Sequence, residues 1–84
     1  MNEIQWTTKA FKQLRKLNPK EQERIFDAAQ ALSGMPDVHN VKALTKHRYG
    51  YRLRVGNYRI LFDWDGQVRI VNIQEVKKRD ERTY

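Results

Sequence analysis

The sequence predicts an α+β fold, and three observations carry the prediction. Apolar residues recur at helical spacing between Ala10 and Leu32. From Tyr51 onward the period changes to two. Two turn signals, Gly56-Asn57 and Asp65-Gly66, divide that second half into three strands. The expected architecture is an N-terminal strand, then a two-helix hairpin packed on an antiparallel sheet, with the C-terminal three-strand meander supplying most of that sheet.

Each element has its own grounds. Glu3-Ile4-Gln5-Trp6 alternates and reads as a short strand. Thr7 or Thr8 can cap the helix that follows, in which Ala10, Phe11, Leu14 and Leu17 form the apolar stripe and Lys9, Lys12, Arg15 and Lys16 the wet side. Asn18-Pro19-Lys20-Glu21 starts a second helix: Asn18 caps, Pro19 suits the first turn, and Glu21 stands where a capping-box carboxylate belongs. Ile25, Ala28, Ala29 and Leu32 give that helix its stripe, and Gly34 and Pro36 end it. The stretch 37–50 is polar and irregular, with Val41 and Leu44 as anchors. Val68–Val76, nearly all apolar up to Ile73, reads as a central strand covered on both faces. Lys77–Tyr84 is a charged tail.

The 84 residues imply one domain, 1–84, with a small core. No cysteine is present, so no disulfide and no thiolate metal site is available. The first residues lack the apolar run of a signal peptide, and no stretch approaches the ~20 apolar residues of a membrane helix. A small, soluble, cytoplasmic protein without membrane contact is expected. His39 and His47 have no metal-ligand spacing, and there is no phosphate-binding glycine loop, nucleophile elbow or HExxH motif. No metal and no cofactor is expected.

Charge is more informative. The net charge is +7 and unevenly placed. Residues 1–41 carry six Lys/Arg against five Asp/Glu, whereas 42–84 carry eleven against five. A basic half calls for an anionic partner: nucleic acid, an acidic protein or an anionic surface.

The first hairpin narrows this. A two-residue type II′ turn at Gly56-Asn57 sets Val55 opposite Tyr58, Arg54 opposite Arg59, Leu53 opposite Ile60 and Arg52 opposite Leu61. Leu53, Val55, Tyr58, Ile60 and Phe62 then share the core face, and Arg52, Arg54 and Arg59 the other. Like charges directly cross-strand are unfavourable. An anion between the guanidiniums would relieve the repulsion, and Arg suits bidentate phosphate recognition. Pairing with a carboxylate such as Asp63 is the structural alternative. Lys77, Lys78, Arg79 and Arg82 with Tyr84 form a second basic cluster, where an aromatic ring could stack on a base. Trp6 and Trp64 read as core or sheet-edge aromatics.

The block Tyr51-Arg-Leu-Arg-Val-Gly-Asn-Tyr-Arg-Ile-Leu-Phe62, followed by Val76-Lys-Lys-Arg-Asp-Glu-Arg-Thr-Tyr84, resembles the RelE/ParE superfamily of bacterial toxins. The order of elements resembles it too. RelE-like members are ribosome-dependent endoribonucleases that cut mRNA, whereas ParE-like members share the fold and poison DNA gyrase. The tail with Arg79 and Tyr84 is similar to the RelE branch, and an mRNA endonuclease is the expected activity, with a ParE-like gyrase inhibitor as the alternative. The resemblance implies that Arg52 and Arg54 stand where RelE has lysines. It places Arg59 as the phosphate-stabilising residue, Arg79 as the tail arginine linked to general-acid work, and Tyr84 as the tyrosine that orients the substrate. Lys46, Arg48, Lys77, Lys78 and Arg82 are assigned to RNA binding. The implied reaction is attack of a 2′-OH on the adjacent phosphate, without metal. The implied partners are a cognate antitoxin, mRNA on the ribosome with contacts to rRNA, and operator DNA only through the antitoxin complex.

Overall fold

The computed structural model describes residues 1–78. In chain order the elements are β1 (Glu3–Trp6), α1 (Thr8–Arg15), α2 (Pro19–Gln30) with a 3-10 turn at Ala31–Gly34, β2 (Val41–Ala43), β3 (Tyr51–Val55), β4 (Tyr58–Asp65) and β5 (Ile70–Lys78). The strands form one sheet in the order β1-β5-β4-β3-β2.

Local chemistry starts both helices. Thr7 caps α1, its hydroxyl accepting from the Ala10 N–H at 3.1 Å. Asn18 caps α2 in the same way through the Glu21 N–H at 2.9 Å, with Pro19 in the first turn. Ala10, Leu14, Ile25, Ala29 and Leu32 turn inward onto Leu53, Ile60, Phe62, Val71 and Ile73 of the sheet. Both tryptophans sit at the margin of this core. Trp6 stacks on Phe26 with centroids 6.2 Å apart, and the Trp64 indole donates to the Asn2 side chain at 3.0 Å.

The α+β class and the helical hairpin are as the sequence predicts, and four details differ. The sheet is mixed, because β1 runs parallel to β5, with Glu3 beside Ile70 and Trp6 beside Ile73. A three-residue edge strand, β2, lies within the stretch expected to be irregular and pairs Lys42 with Arg52. The turn after β4 is longer than Asp65-Gly66: it spans 66–69, and the Asp65 carboxylate accepts from the Gln67 and Val68 N–H groups at 2.9 and 3.2 Å. β5 therefore begins at Ile70, and Val68 is exposed. β5 is interior to the sheet, yet only alternate residues, Val71 and Ile73, are buried before Gln74; Ile70 and Asn72 are half-buried on the other face.

Candidate phosphate-binding face

The helices cover one face of the sheet; the other, the open face, exposes Arg54 and Lys77, half-buries Arg52 and Arg59 and buries Leu61 and Glu75. What stands on the open face follows from register. The β3–β4 turn pins it: Gly56 has φ 55°, Asn57 is not at positive φ, and this is the type II′ pattern. A side chain at Gly56 would be strained, and its Cβ would run into the Arg24 guanidinium. The pairs are Arg54 with Arg59, Leu53 with Ile60 and Arg52 with Leu61, as the two-residue loop demands.

The neighbouring strands extend these pairs into ranks. Arg59 also faces Lys77 of β5, so Arg54, Arg59 and Lys77 form a row of three cations across β3, β4 and β5. One step along the strands, Lys42, Arg52, Leu61 and Glu75 form the second rank. A step further lie Asp63 and Asn72, then Asp65 and Ile70. The open face is thus basic at the hairpin end and acidic at the other.

Among the described residues, no carboxylate lies within ion-pair distance of Lys42, Arg52, Arg54, Arg59 or Lys77. Asp63 is engaged elsewhere: it accepts from the Gly50 N–H at 2.8 Å and from the Gln74 amide at 3.2 Å. The Nε atoms of Arg52 and Arg59 are buried without a hydrogen-bond partner among those residues. A buried donor left without an acceptor costs about 1–3 kcal/mol. Adjacent cations without counter-charges add repulsion. An anion resting on this rank would offset both.

Glu75 is the residue that the sequence reading missed. It is the one buried charged side chain among the described residues, 7% exposed. A β-bulge puts it there: Phe62 pairs with Ile73 and Leu61 with Glu75, leaving Gln74 as the extra residue. The bulge resets the alternation of β5, so Glu75 and Lys77 join the open face while Val76 returns to the core. Lys9 of α1 reaches Glu75 at 3.4 Å. Burial by itself pushes the Glu75 carboxyl up. The side chains of Lys9 and Tyr49, with the Lys77 charge, outweigh burial and hold it below the ordinary glutamate range.

The other expected site residues divide. Lys78 pairs with Tyr58 and stands on the opposite face from Lys77, by a hollow lined by Asn18, Glu21, Arg24 and Asn57. Neighbours along a strand point to opposite faces, so Lys77 and Lys78 stand on opposite sides of the sheet. Lys46 and Arg48 are exposed on the loop before β3, where the Arg48 guanidinium lies 5.6 Å from the Tyr49 ring centre. Arg79, Arg82 and Tyr84 lie outside the described residues.

The class of architecture is thus a helical hairpin on a five-stranded mixed sheet whose open face carries cations across its central strands. The chain belongs to the family described as ParE toxin of type II toxin–antitoxin system, parDE, whose profile matches residues 4–83, and so to the RelE/ParE superfamily. Solved structures agree on the fold. The RelBE2 toxin–antitoxin complex of Mycobacterium tuberculosis contains a chain 26% identical, with a TM-score of 0.80, covering 93% of this chain and 98% of its own. The archaeal RelE–RelB complex of Pyrococcus horikoshii gives 20% identity and a TM-score of 0.79 over 95% and 97%. The isolated RelE toxin of E. coli gives 16% and 0.80 over 99% and 89%. No curated protein sequence matches the chain.

Proposed function

We propose that this toxin cleaves mRNA on the ribosome, binding the scissile phosphate on the open sheet face. The observation that carries the reading is the rank Arg54–Arg59–Lys77, three cross-strand cations without a carboxylate partner among the described residues. In the reaction, the 2′-oxygen bonds to phosphorus, the bond to the 5′-oxygen breaks, and a 2′,3′-cyclic phosphate and a 5′-hydroxyl result. The 2′-hydroxyl proton passes to a base and the leaving oxygen takes one up. The crowded phosphorane gains negative charge, and Arg54 and Arg59 of the first rank are suited to stabilise it, with Arg52 one rank along β3. Arginine is a poor base, because its guanidinium stays protonated. Lys77 is the lysine of the first rank and stands on the arginine face, where it is the candidate proton acceptor. Arg79 and Tyr84 complete the site as leaving-group and substrate-orienting residues, by likeness to RelE. No metal is invoked.

A partner antitoxin follows from the same reading. The structures of M. tuberculosis RelBE2 and P. horikoshii RelE–RelB are toxin–antitoxin complexes. Phe11 and Phe26 stand exposed on the helices here, with Arg15 lying 5.8 Å from the centre of the Phe11 ring. An acidic, amphipathic antitoxin segment complements such a surface. The site of action is the cytoplasm, and operator DNA is met only through the antitoxin.

The second reading is a gyrase inhibitor, favoured by the parDE description of the matching family and by Arg at both positions where RelE has lysine. Mapping mRNA 5′ ends after induction separates the two. The RNase reading expects cuts in phase with codons and arrested translation, abolished by Arg59→Ala. The gyrase reading expects DNA damage signalling with translation intact.

A further inference from the structure

We propose that Lys42 and Arg52 form a second phosphate subsite, so that single-stranded RNA crosses the open face obliquely from Lys77 on β5 to the β2 edge. The inference rests on the reading of this face as an RNA site and adds the path of the chain across it. Its basis is the second rank. Lys42 pairs directly with Arg52, on the face that carries Arg54 and Arg59. Neither has an ion-pair partner among the described residues, and the Arg52 Nε is buried without an acceptor. Residues two apart on one strand are about 7 Å apart, so the two ranks are spaced to meet successive phosphates of an extended backbone.

Direction comes from the other end of that rank. On β5 the second rank ends in Glu75, a buried carboxylate held ionised beside Lys9. A phosphate stepping off the first rank over β5 would meet that negative charge and, a step further, Asp63. Over β2 and β3 it meets Lys42 and Arg52. The charge pattern therefore steers the chain toward the short edge strand. Basic grooves that follow the backbone and ignore sequence are a usual way to hold single strands.

The test measures binding of two probes by the purified chain: a short 2′-O-methyl oligouridylate, which resists cleavage, and uridine 3′-monophosphate, which has one phosphate. Lys42→Ala is expected to weaken the oligonucleotide about five- to tenfold and to lower its salt slope by about 0.7, while leaving the mononucleotide unchanged. Arg59→Ala is expected to weaken both. Lys16→Ala, at the C-terminal cap of α1, is expected to change neither. Circular dichroism checks that each variant is folded, and Lys42→Gln repeats the charge loss with a longer side chain. The proposal is overturned if Lys42→Ala and Lys42→Gln leave oligonucleotide binding intact, or weaken both probes equally. If Arg59→Ala changes neither probe, the RNA reading of the face fails as well, and the two failures are told apart.

Discussion

Arg59 is the residue on which most depends. It has a cation on either side, Arg54 and Lys77, and no carboxylate of the described residues lies within ion-pair distance of any of the three. The half-buried Arg59 side chain carries an Nε with no acceptor among the described residues, so truncation there leaves no hydrogen-bond partner unpaired. Removing one of three adjacent like charges removes repulsion as well. Arg59→Ala is therefore expected to leave the melting temperature unchanged or slightly raised while RNA binding is lost; paired thermal and binding measurements check this. Glu75 makes the converse case, a charge whose partners are in place. Its pKa in the folded chain lies below the ordinary 4.5, so its contribution to stability is complete above about pH 4.5 and is lost as the pH falls through the lowered folded value. Denaturant unfolding followed from neutral pH to about pH 3 is expected to show this loss, and Glu75→Gln to flatten it. Lys9→Met, which leaves the carboxylate without its ion pair, is expected to cost about 1–3 kcal/mol at neutral pH.

At the scale of elements, what the sequence made legible was whatever local chemistry determines. Caps placed both helices. A two-residue turn fixed the register of β3 and β4, and with it the Arg54–Arg59 pair. What escaped was set by long-range partners. Parallel pairing of β1 with β5 leaves no local mark. β2 is three residues long, too short to show alternation. The bulge at Gln74 is imposed by pairing against Leu61 and Phe62, and without it the faces of Glu75, Lys77 and Lys78 cannot be read. A run of apolar residues hid where β5 begins, because Val68 and Arg69 belong to the turn. The docking of α1 was equally invisible. Beyond the end of β1, the edge of β5 is closed by the helix: the Val76 N–H donates to the Gln13 side chain at 2.7 Å and the Thr7 N–H to the Ile73 carbonyl at 3.0 Å. Gln13→Ala leaves a half-buried donor unpaired and is expected to cost about 1–3 kcal/mol. Faster hydrogen exchange at the Val76 amide would localise the effect.

For the whole molecule, charge is the organising quantity. The net charge of +7 resolves into a basic and an acidic end on one sheet face, with further cations along α1. A core of this size gives modest stability, and a partner that covers the cations and the exposed Phe11 and Phe26 would raise it by mass action. The melting temperature is accordingly expected to climb with the concentration of an acidic antitoxin peptide and, because the attraction is electrostatic, to climb less at high salt. No helix among the described residues is long and apolar enough to cross a membrane.

The most direct test of the central claim is the map of mRNA 5′ ends in cells after brief induction of the chain, beside its Arg59→Ala variant. The account predicts new 5′ ends in phase with codons inside translated genes, together with arrested growth, and neither from the variant at equal protein level. Growth arrest without such ends, or cuts that persist in Arg59→Ala, would contradict it.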